Sequence, residues 1–161
     1  MLKKLLLPAL AVVVLACIFT DSAFAASANY TKLSPGSIAI TNNPAGQTRD
    51  SNALSISVPT SVPANAIVTK ITVKNGTVTN GPGLALNVIS SYNIKAPTMS
   101  APVSVSWKNA TTETYWASNN CALGSPSAQG TWLLSMTGKN ITNTAATTSH
   151  VINSIVFDYT Y

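Results

Sequence analysis

The sequence predicts an all-β protein, built as a single antiparallel two-sheet β-sandwich over residues 26–161. Three observations lead to this prediction. Short segments with alternating apolar and polar residues recur along the chain, as in strands with one buried face. Segments rich in Gly, Pro and Asn separate them, which is typical of tight turns. No segment after residue 25 keeps the apolar period of an amphipathic helix.

Eight alternating segments are predicted to form the strands. In Leu54–Val58 every second residue is apolar, and in residues 67–73 Ile67, Ile71 and Val73 fall on one face. The predicted strands are residues 38–40, 54–58, 67–73, 84–88, 103–107, 114–116, 131–136 and 151–161. The predicted turns are residues 34–36, 43–46, 59–63, 75–76, 80–83, 96–97, 124–126 and 138–140. A jelly roll would cover the most strand edges for this number of strands.

The closing strand, residues 151–161, ends the chain. We expect such a strand to be paired inside a sheet. Left unpaired, it would accept a strand from another subunit, which is one route to assembly.

Residues 1–25 are predicted to be a cleaved secretory signal peptide. Lys3 and Lys4 carry positive charge, residues 5–19 are apolar, and Ala23–Ala25 offers small residues around a cleavable bond before Ala26. The protein is therefore expected outside the cytoplasm, secreted or at the cell surface.

Two alternatives concern the same leader. The first alternative is a membrane anchor. The apolar run of about 15 residues includes Pro8 and is shorter than the roughly 20 residues that a spanning helix needs. No stable membrane insertion is therefore expected after cleavage. As a lipoprotein signal, residues 14–17 would leave Cys17 as the lipidated first residue, although Leu15 is bulky for that motif.

The charge pattern after the leader argues against nucleic-acid binding. Seven basic and three acidic residues remain, and the basic ones are spread singly along the chain. A phosphate backbone is usually met by a clustered basic stripe. The 136 residues are enough for one domain with its own hydrophobic core.

Two segments stand out as motifs. Val62–Ala66 leads into an alternating strand, and Gln129–Met136 contains a Gly-Thr-Trp start of a strand. Together they resemble the P-domain-like β-sandwiches that follow subtilisin-type proteases and occur in other secreted bacterial proteins. The resemblance implies that Gly130 makes a tight turn and that Trp132 fills the space between the sheets. The chain departs from the family at residues 75–77. The resemblance implies a jelly-roll-like module that binds or supports something and does no chemistry.

Cys121 is the only cysteine after the leader, so no intrachain disulfide is predicted. No cation lies near it in sequence to lower the pKa of its thiol, which favours a buried structural role. The alternative is an intermolecular cross-link, which would make Cys121 an assembly residue.

No catalytic set stands out. Asp50, Glu113 and Asp158 are the only acids after the leader, and each is predicted to be a solvated or paired surface charge. A hydrolase would have to combine His150, predicted in a loop, with Asp158 and a serine, or with Cys121. One His and one Cys cannot form a structural zinc site. We therefore predict no enzyme, no metal site and no cofactor.

Aromatic residues offer the one positive signal for a ligand. Trp107 and Trp132 are predicted to lie in the interior. Tyr115 and Trp116 are consecutive in a strand, so their side chains face opposite ways and one ring lies outside or at an edge. That ring could stack on a sugar. The expected role is thus binding or structural, with other subunits or a cell-surface polysaccharide as partner.

Overall fold

The computed structural model describes residues 25–81, 86–117 and 123–161. Within these residues the chain forms strands and turns without helix. The strands are β1 Ser27–Asn43, β2 Thr48–Asp50, β3 Leu54–Val58, β4 Ile67–Asn80, β5 Asn87–Lys95, β6 Val103–Ser106, β7 Thr112–Trp116, β8 Gly130–Asn140 and β9 Ala146–Thr160.

The strands form two antiparallel sheets, so the predicted β-sandwich is confirmed. One sheet has the order β1-β9-β4-β7, and the other has the order β2-β8-β5-β6 with β3 also paired to β8. β2 and β3 pair with successive parts of β8, residues 137–139 and 130–134, and act together as one edge strand. Counted in this way, the strand order of the two sheets is that of a jelly roll.

β9 lies in the middle of its sheet. It is hydrogen-bonded to β1 on one side and to β4 on the other, both antiparallel and over most of its length. The expectation that the closing strand is paired inside a sheet is confirmed. The alternative prediction, that β9 accepts a strand from another subunit, is wrong, because β1 and β4 already occupy both of its edges.

Several strands are longer than the alternation predicted. Three predicted turns, at residues 34–36, 75–76 and 138–140, lie inside β1, β4 and β8. The first two coincide with register shifts, where extra residues form bulges. Gly36 takes a φ of +134°, which favours glycine. β2 was not predicted, and β5 begins at Asn87, near the end of predicted strand 84–88, of which 84 and 85 lie outside the described residues.

One half of the core is apolar. Trp132 on β8 is 1% exposed, and its ring lies 5.0 Å from that of Phe157 on β9 in the opposite sheet. The indole N–H donates to the Ala128 carbonyl at 3.0 Å. Gly130, two residues earlier, has a φ of +112°. The glycine turn and the indole between the sheets are therefore both present, as the sequence predicted.

The other half of the core, which we call the polar end, places buried polar side chains beside apolar ones such as Ile38 and Ile40. The inward side of β9 changes between the two halves. Thr148 and His150 face the interior, whereas beyond Ser154 the inward residues are Ile155 and Phe157. The amide of the buried Asn87 donates to the Thr148 hydroxyl at 3.2 Å, and the amide of the buried Asn43 donates to Asn87 Oδ1 at 2.7 Å. The candidate site lies at this polar end.

Some predictions fall on residues that the structure does not describe. These are residues 1–24 of the leader, with Cys17, and the segment that holds Cys121. The described residues include no helical segment of the length and apolarity that a bilayer crossing requires.

Candidate functional site

Glu113, on β7, carries the charge of the polar end. Its side chain is fully buried, so the predicted surface position is wrong. The carboxylate accepts hydrogen bonds from the Tyr115 hydroxyl and from the Asn75 amide at 3.2 Å. It also accepts from the backbone N–H groups of Lys108, at 3.2 Å, and Ala110, at 3.4 Å. These donors replace the water that a buried carboxylate loses, which is why it is tolerated in the interior.

Asn75 on β4 joins this carboxylate to the opposite sheet. Its amide N–H groups donate to Glu113 and, at 2.6 Å, to the Ala110 carbonyl. Its Oδ1 accepts from the Tyr92 hydroxyl at 2.6 Å. Burial, helped by the negative charge of Glu113, raises the pKa of this hydroxyl, so Tyr92 keeps its proton.

His150 is the next residue in this chain of contacts. It lies on β9 and is fully buried, so its predicted loop position is wrong, because β9 begins at Ala146. Its Nδ1 lies 3.4 Å from the Tyr92 oxygen, and its ring meets the Trp107 indole edge-on at 4.9 Å between centroids. Its Nε2 is buried, and no atom of residues 25–81, 86–117 and 123–161 forms a hydrogen bond with it. Such an atom is uncommon in a folded protein and marks a place where a ligand or water would be favoured.

The burial of His150 gives a pH dependence of stability. Desolvation lowers the pKa of its imidazole, and the charge of Glu113 opposes this only partly. The unfolded chain, with a histidine pKa of about 6.5, therefore takes up a proton first as the pH falls. The stability contributed by neutral His150 is present above about pH 6.5 and is lost as the pH falls below it.

Urea unfolding of residues 26–161 between pH 8 and pH 5 measures this effect. His150→Phe is the matched control, because His150 is the only histidine of the chain. We expect a decline of the free energy of unfolding below about pH 6.5 in the wild type and a flatter curve in the variant. Equal curves would contradict the assignment.

A surface groove adjoins this buried cluster, and we call it the Trp107 groove. Its inner part, of about 110 Å³, is lined by Asn75, Gly76, Val78, Trp107, Asn109, Ala110, Thr111 and His150. Its outer part, of about 350 Å³, is lined by Val78, Leu86, Asn87, Val88, Ile89, Trp107 and Asn109. The two parts share Val78, Trp107 and Asn109 and are therefore neighbours. The outer volume falls within the range of small-ligand sites, about 300–1,000 Å³.

The predicted stacking residues Tyr115 and Trp116 lie on β7. The Tyr115 ring is 1% exposed, and the Lys108 ammonium lies 5.6 Å from its centroid. This ring belongs to the core and is not the outward ring of the pair. The backbone of Trp116 pairs with Lys70, and its side chain lies outside the described part of the chain. Stacking by Trp116 stays a prediction.

Trp107 is the aromatic residue that the structure places at a groove. The sequence predicted it in the interior on the face of Val103 and Val105, and this is confirmed in part, because the indole packs against the core with its centroid 5.0 Å from that of the Tyr92 ring. One residue after β6 its backbone N–H still donates to the Ser90 carbonyl at 2.9 Å, so the inward face continues to Trp107, where the ring stays half-buried. The positive φ of Asn109, +52°, then turns the chain away. The sequence offers no separate signal for this partial exposure, because Trp107 alternates with Val103 and Val105 in the predicted strand 103–107.

His150 and Asp158, one pair that a hydrolase would combine, are not brought together. His150 and Asp158 lie eight residues apart on β9, about 26 Å along an extended strand. The Asp158 carboxylate forms an ion pair with Lys70 at 2.9 Å. Cys121 lies outside the described residues. In the described part of the chain, no three or more His, Cys, Asp or Glu side chains are grouped to hold a metal ion.

Comparisons with known proteins show the fold and no more. No protein-family model matches the chain, and no curated protein matches it. The crystal structure of a candidate secreted protein from Eubacterium rectale is similar to it, with a TM-score of 0.51 and 14% sequence identity. The match covers 85% of this chain and 40% of the other, so this chain spans less than half the length of that protein.

Proposed function

We propose that this protein is a secreted or cell-surface β-sandwich module that binds a ligand in the Trp107 groove and catalyses no reaction. The pattern of residues 1–25 supports export, because charge, apolar run and small-residue cleavage site follow one another in the required order. The jelly-roll architecture supports a binding role, since lectin domains use it.

One observation carries the proposal. The buried Nε2 of His150 has no hydrogen-bond partner among the residues that the structure describes, and His150 and the half-buried Trp107 both line the groove. Leaving such an atom unpaired costs about 1–3 kcal/mol. A ligand that enters the groove and pairs with it recovers part of that free energy, which favours binding at this place over the rest of the surface.

The proposal of a non-enzymatic role is supported by the separation of the candidate catalytic residues. His150 contacts Tyr92 and Trp107, whereas Asp158 pairs with Lys70 at the other end of β9. A general base must reach the proton that it removes within about 3 Å. Assembly through Cys121 is the structural alternative, and sedimentation with and without reductant would detect it.

Binding through the Trp107 groove is tested on the exported protein. The full chain is expressed with its leader, and the product in the medium is expected to begin at Ala26. This product is then incubated with insoluble cell-surface polysaccharides and washed. We expect binding that Trp107→Ala weakens by at least tenfold, because central aromatic anchors contribute more than about 1.4 kcal/mol.

Leu33→Ala is the matched control, since Leu33 is 71% exposed on β1 and lies outside the groove. It should bind like the wild type. Circular dichroism of both variants checks that they are folded. Equal binding by Trp107→Ala and Leu33→Ala would exclude the groove as the binding site, and a product retained in the cytosol with its leader would exclude export.

A further inference from the structure

We propose that the inner end of the Trp107 groove binds an uncharged saccharide, one of whose hydroxyl groups donates a hydrogen bond to Nε2 of His150. This inference rests on the proposed function and names the ligand class of the same groove. It follows from a chain of hydrogen bonds that determines which ring nitrogen of His150 carries the proton.

The chain begins at Glu113, whose oxygens can only accept when the group is charged. The Asn75 amide nitrogen must therefore be the atom that faces Glu113 at 3.2 Å, and the same nitrogen also donates to the Ala110 carbonyl at 2.6 Å. Two acceptors on one side fix the orientation of the amide. The Asn75 Oδ1 is left to face Tyr92.

Tyr92 has one hydroxyl proton. The short 2.6 Å contact with Asn75 Oδ1 uses it, because a carbonyl oxygen cannot donate. Toward His150 the Tyr92 oxygen can therefore only accept, and the 3.4 Å contact is a hydrogen bond only with the proton on Nδ1, so we assign the proton to that atom. In a neutral imidazole one nitrogen is a donor and the other an acceptor, so Nε2 carries a lone pair.

A ligand that pairs with this unpaired hydrogen-bond acceptor must carry a hydrogen-bond donor. Metal ions also bind such a lone pair, but the described residues offer no group of three or more ligands. Apart from His150, none of the described residues that line either part of the groove is acidic or basic. A charged ligand would lose its hydration without a counter-charge, so an uncharged hydroxyl is the donor that fits.

The walls of the groove offer apolar contacts and amide groups to the rest of the saccharide. The Trp107 indole lines both parts, and two partly exposed valines, Val78 at 40% and Val88 at 46%, line the outer part. Asn87 and Asn109 add amide groups. A sugar ring presents an apolar C–H face to such a wall and hydroxyls at its rim, and pockets with few polar groups on an apolar wall bind ligands of this kind.

The proton position is tested first, by two-bond ¹H–¹⁵N correlation spectra of ¹⁵N-labelled residues 26–161 at pH 7.5. We expect the His150 signals of the tautomer protonated at Nδ1. In Tyr92→Phe the hydroxyl is lost and the two tautomers should be mixed. A His150 protonated at Nε2 in the wild type would overturn the inference.

The ligand class is tested by titrating the same sample with neutral oligosaccharides, an oligogalacturonate and oligomers of glucosamine. We expect the neutral sugars to shift the Trp107 indole and His150 Nε2 signals, and His150→Phe to bind them about tenfold more weakly. The tenfold loss corresponds to one hydrogen bond at the upper end of its usual contribution. Charged sugars should bind more weakly than neutral ones.

The outcomes separate the two proposals. The inference would be overturned if sugars shift the Trp107 signals but not the His150 signals, or if charged sugars bind as well as neutral ones. Either result would still be consistent with ligand binding in the Trp107 groove. If no sugar shifts either residue while the polysaccharide assay shows binding that depends on Trp107, the ligand class is wrong. No binding in either assay removes the proposed function together with this inference.

Discussion

Trp132→Ala is expected to lower the free energy of unfolding by about 3–5 kcal/mol, the usual cost of truncating a buried aromatic residue. The indole is buried between the sheets, packs against Phe157 and donates to the Ala128 carbonyl. The truncation removes apolar contacts on both sides and leaves a cavity that the β-strands cannot collapse to fill. Urea unfolding at pH 7.5, followed by circular dichroism, measures the change.

Leu33→Ala serves as the control for this prediction too. Leu33 is also a large apolar residue in a strand, but it is 71% exposed. Its truncation should change the free energy of unfolding by less than about 0.5 kcal/mol. Similar losses in the two variants would mean that Trp132 is not the centre of the apolar half of the core.

Glu113→Ala is expected to destabilise the protein by about 3–5 kcal/mol. The Tyr115 hydroxyl, the Asn75 amide and two backbone N–H groups would lose their acceptor. Each buried donor left unpaired costs about 1–3 kcal/mol, and partial access of water reduces the sum. A loss below 1 kcal/mol would show that the carboxylate is not the acceptor that holds this cluster together.

Glu113→Gln removes the negative charge at this position but keeps the size and shape of the side chain. The amide keeps one acceptor oxygen, so we expect a smaller loss of stability than in Glu113→Ala. Removing the negative charge also removes the one influence that raises the pKa of His150. An NMR titration should therefore find the pKa of His150 lower in Glu113→Gln than in the wild type, and an unchanged value would argue against electrostatic coupling between the two groups.

Much of the fold could be predicted because alternation is a local property. Residues 54–58 were predicted as a strand with the observed bounds, and the turns at 43–46 and 59–63 are present, with hydrogen bonds to the Pro44 and Pro59 carbonyls. Residues 75–76 were taken for a turn, since Asn-Gly is a strong turn signal. In the structure Gly76 lies in β4 against β9, where a Cβ would stand 2.7 Å from Asn153 Oδ1. A glycine needed for close strand approach has the same appearance in sequence as a glycine in a turn.

The candidate site could be predicted far less well. Glu113, Asn75, Tyr92 and His150 come from four different strands and two sheets. Acids are usually exposed, and a single histidine among threonines carries no local signature. Only the pairing of distant strands supplies Glu113 with its donors and isolates the Nε2 of His150. No spacing along the chain encodes that arrangement.

The sequence by itself determined that the chain forms an antiparallel β-sandwich and that Trp132 lies in its core, because period-two alternation and turn residues act over a few neighbours. Only the tertiary structure decided that β1 and β4 are the strands on either side of β9 and that Glu113 is buried near the Trp107 groove. Strand partners and the burial of a charge depend on residues as far apart as Asn75 and His150, and their contacts exist only once both sheets are packed.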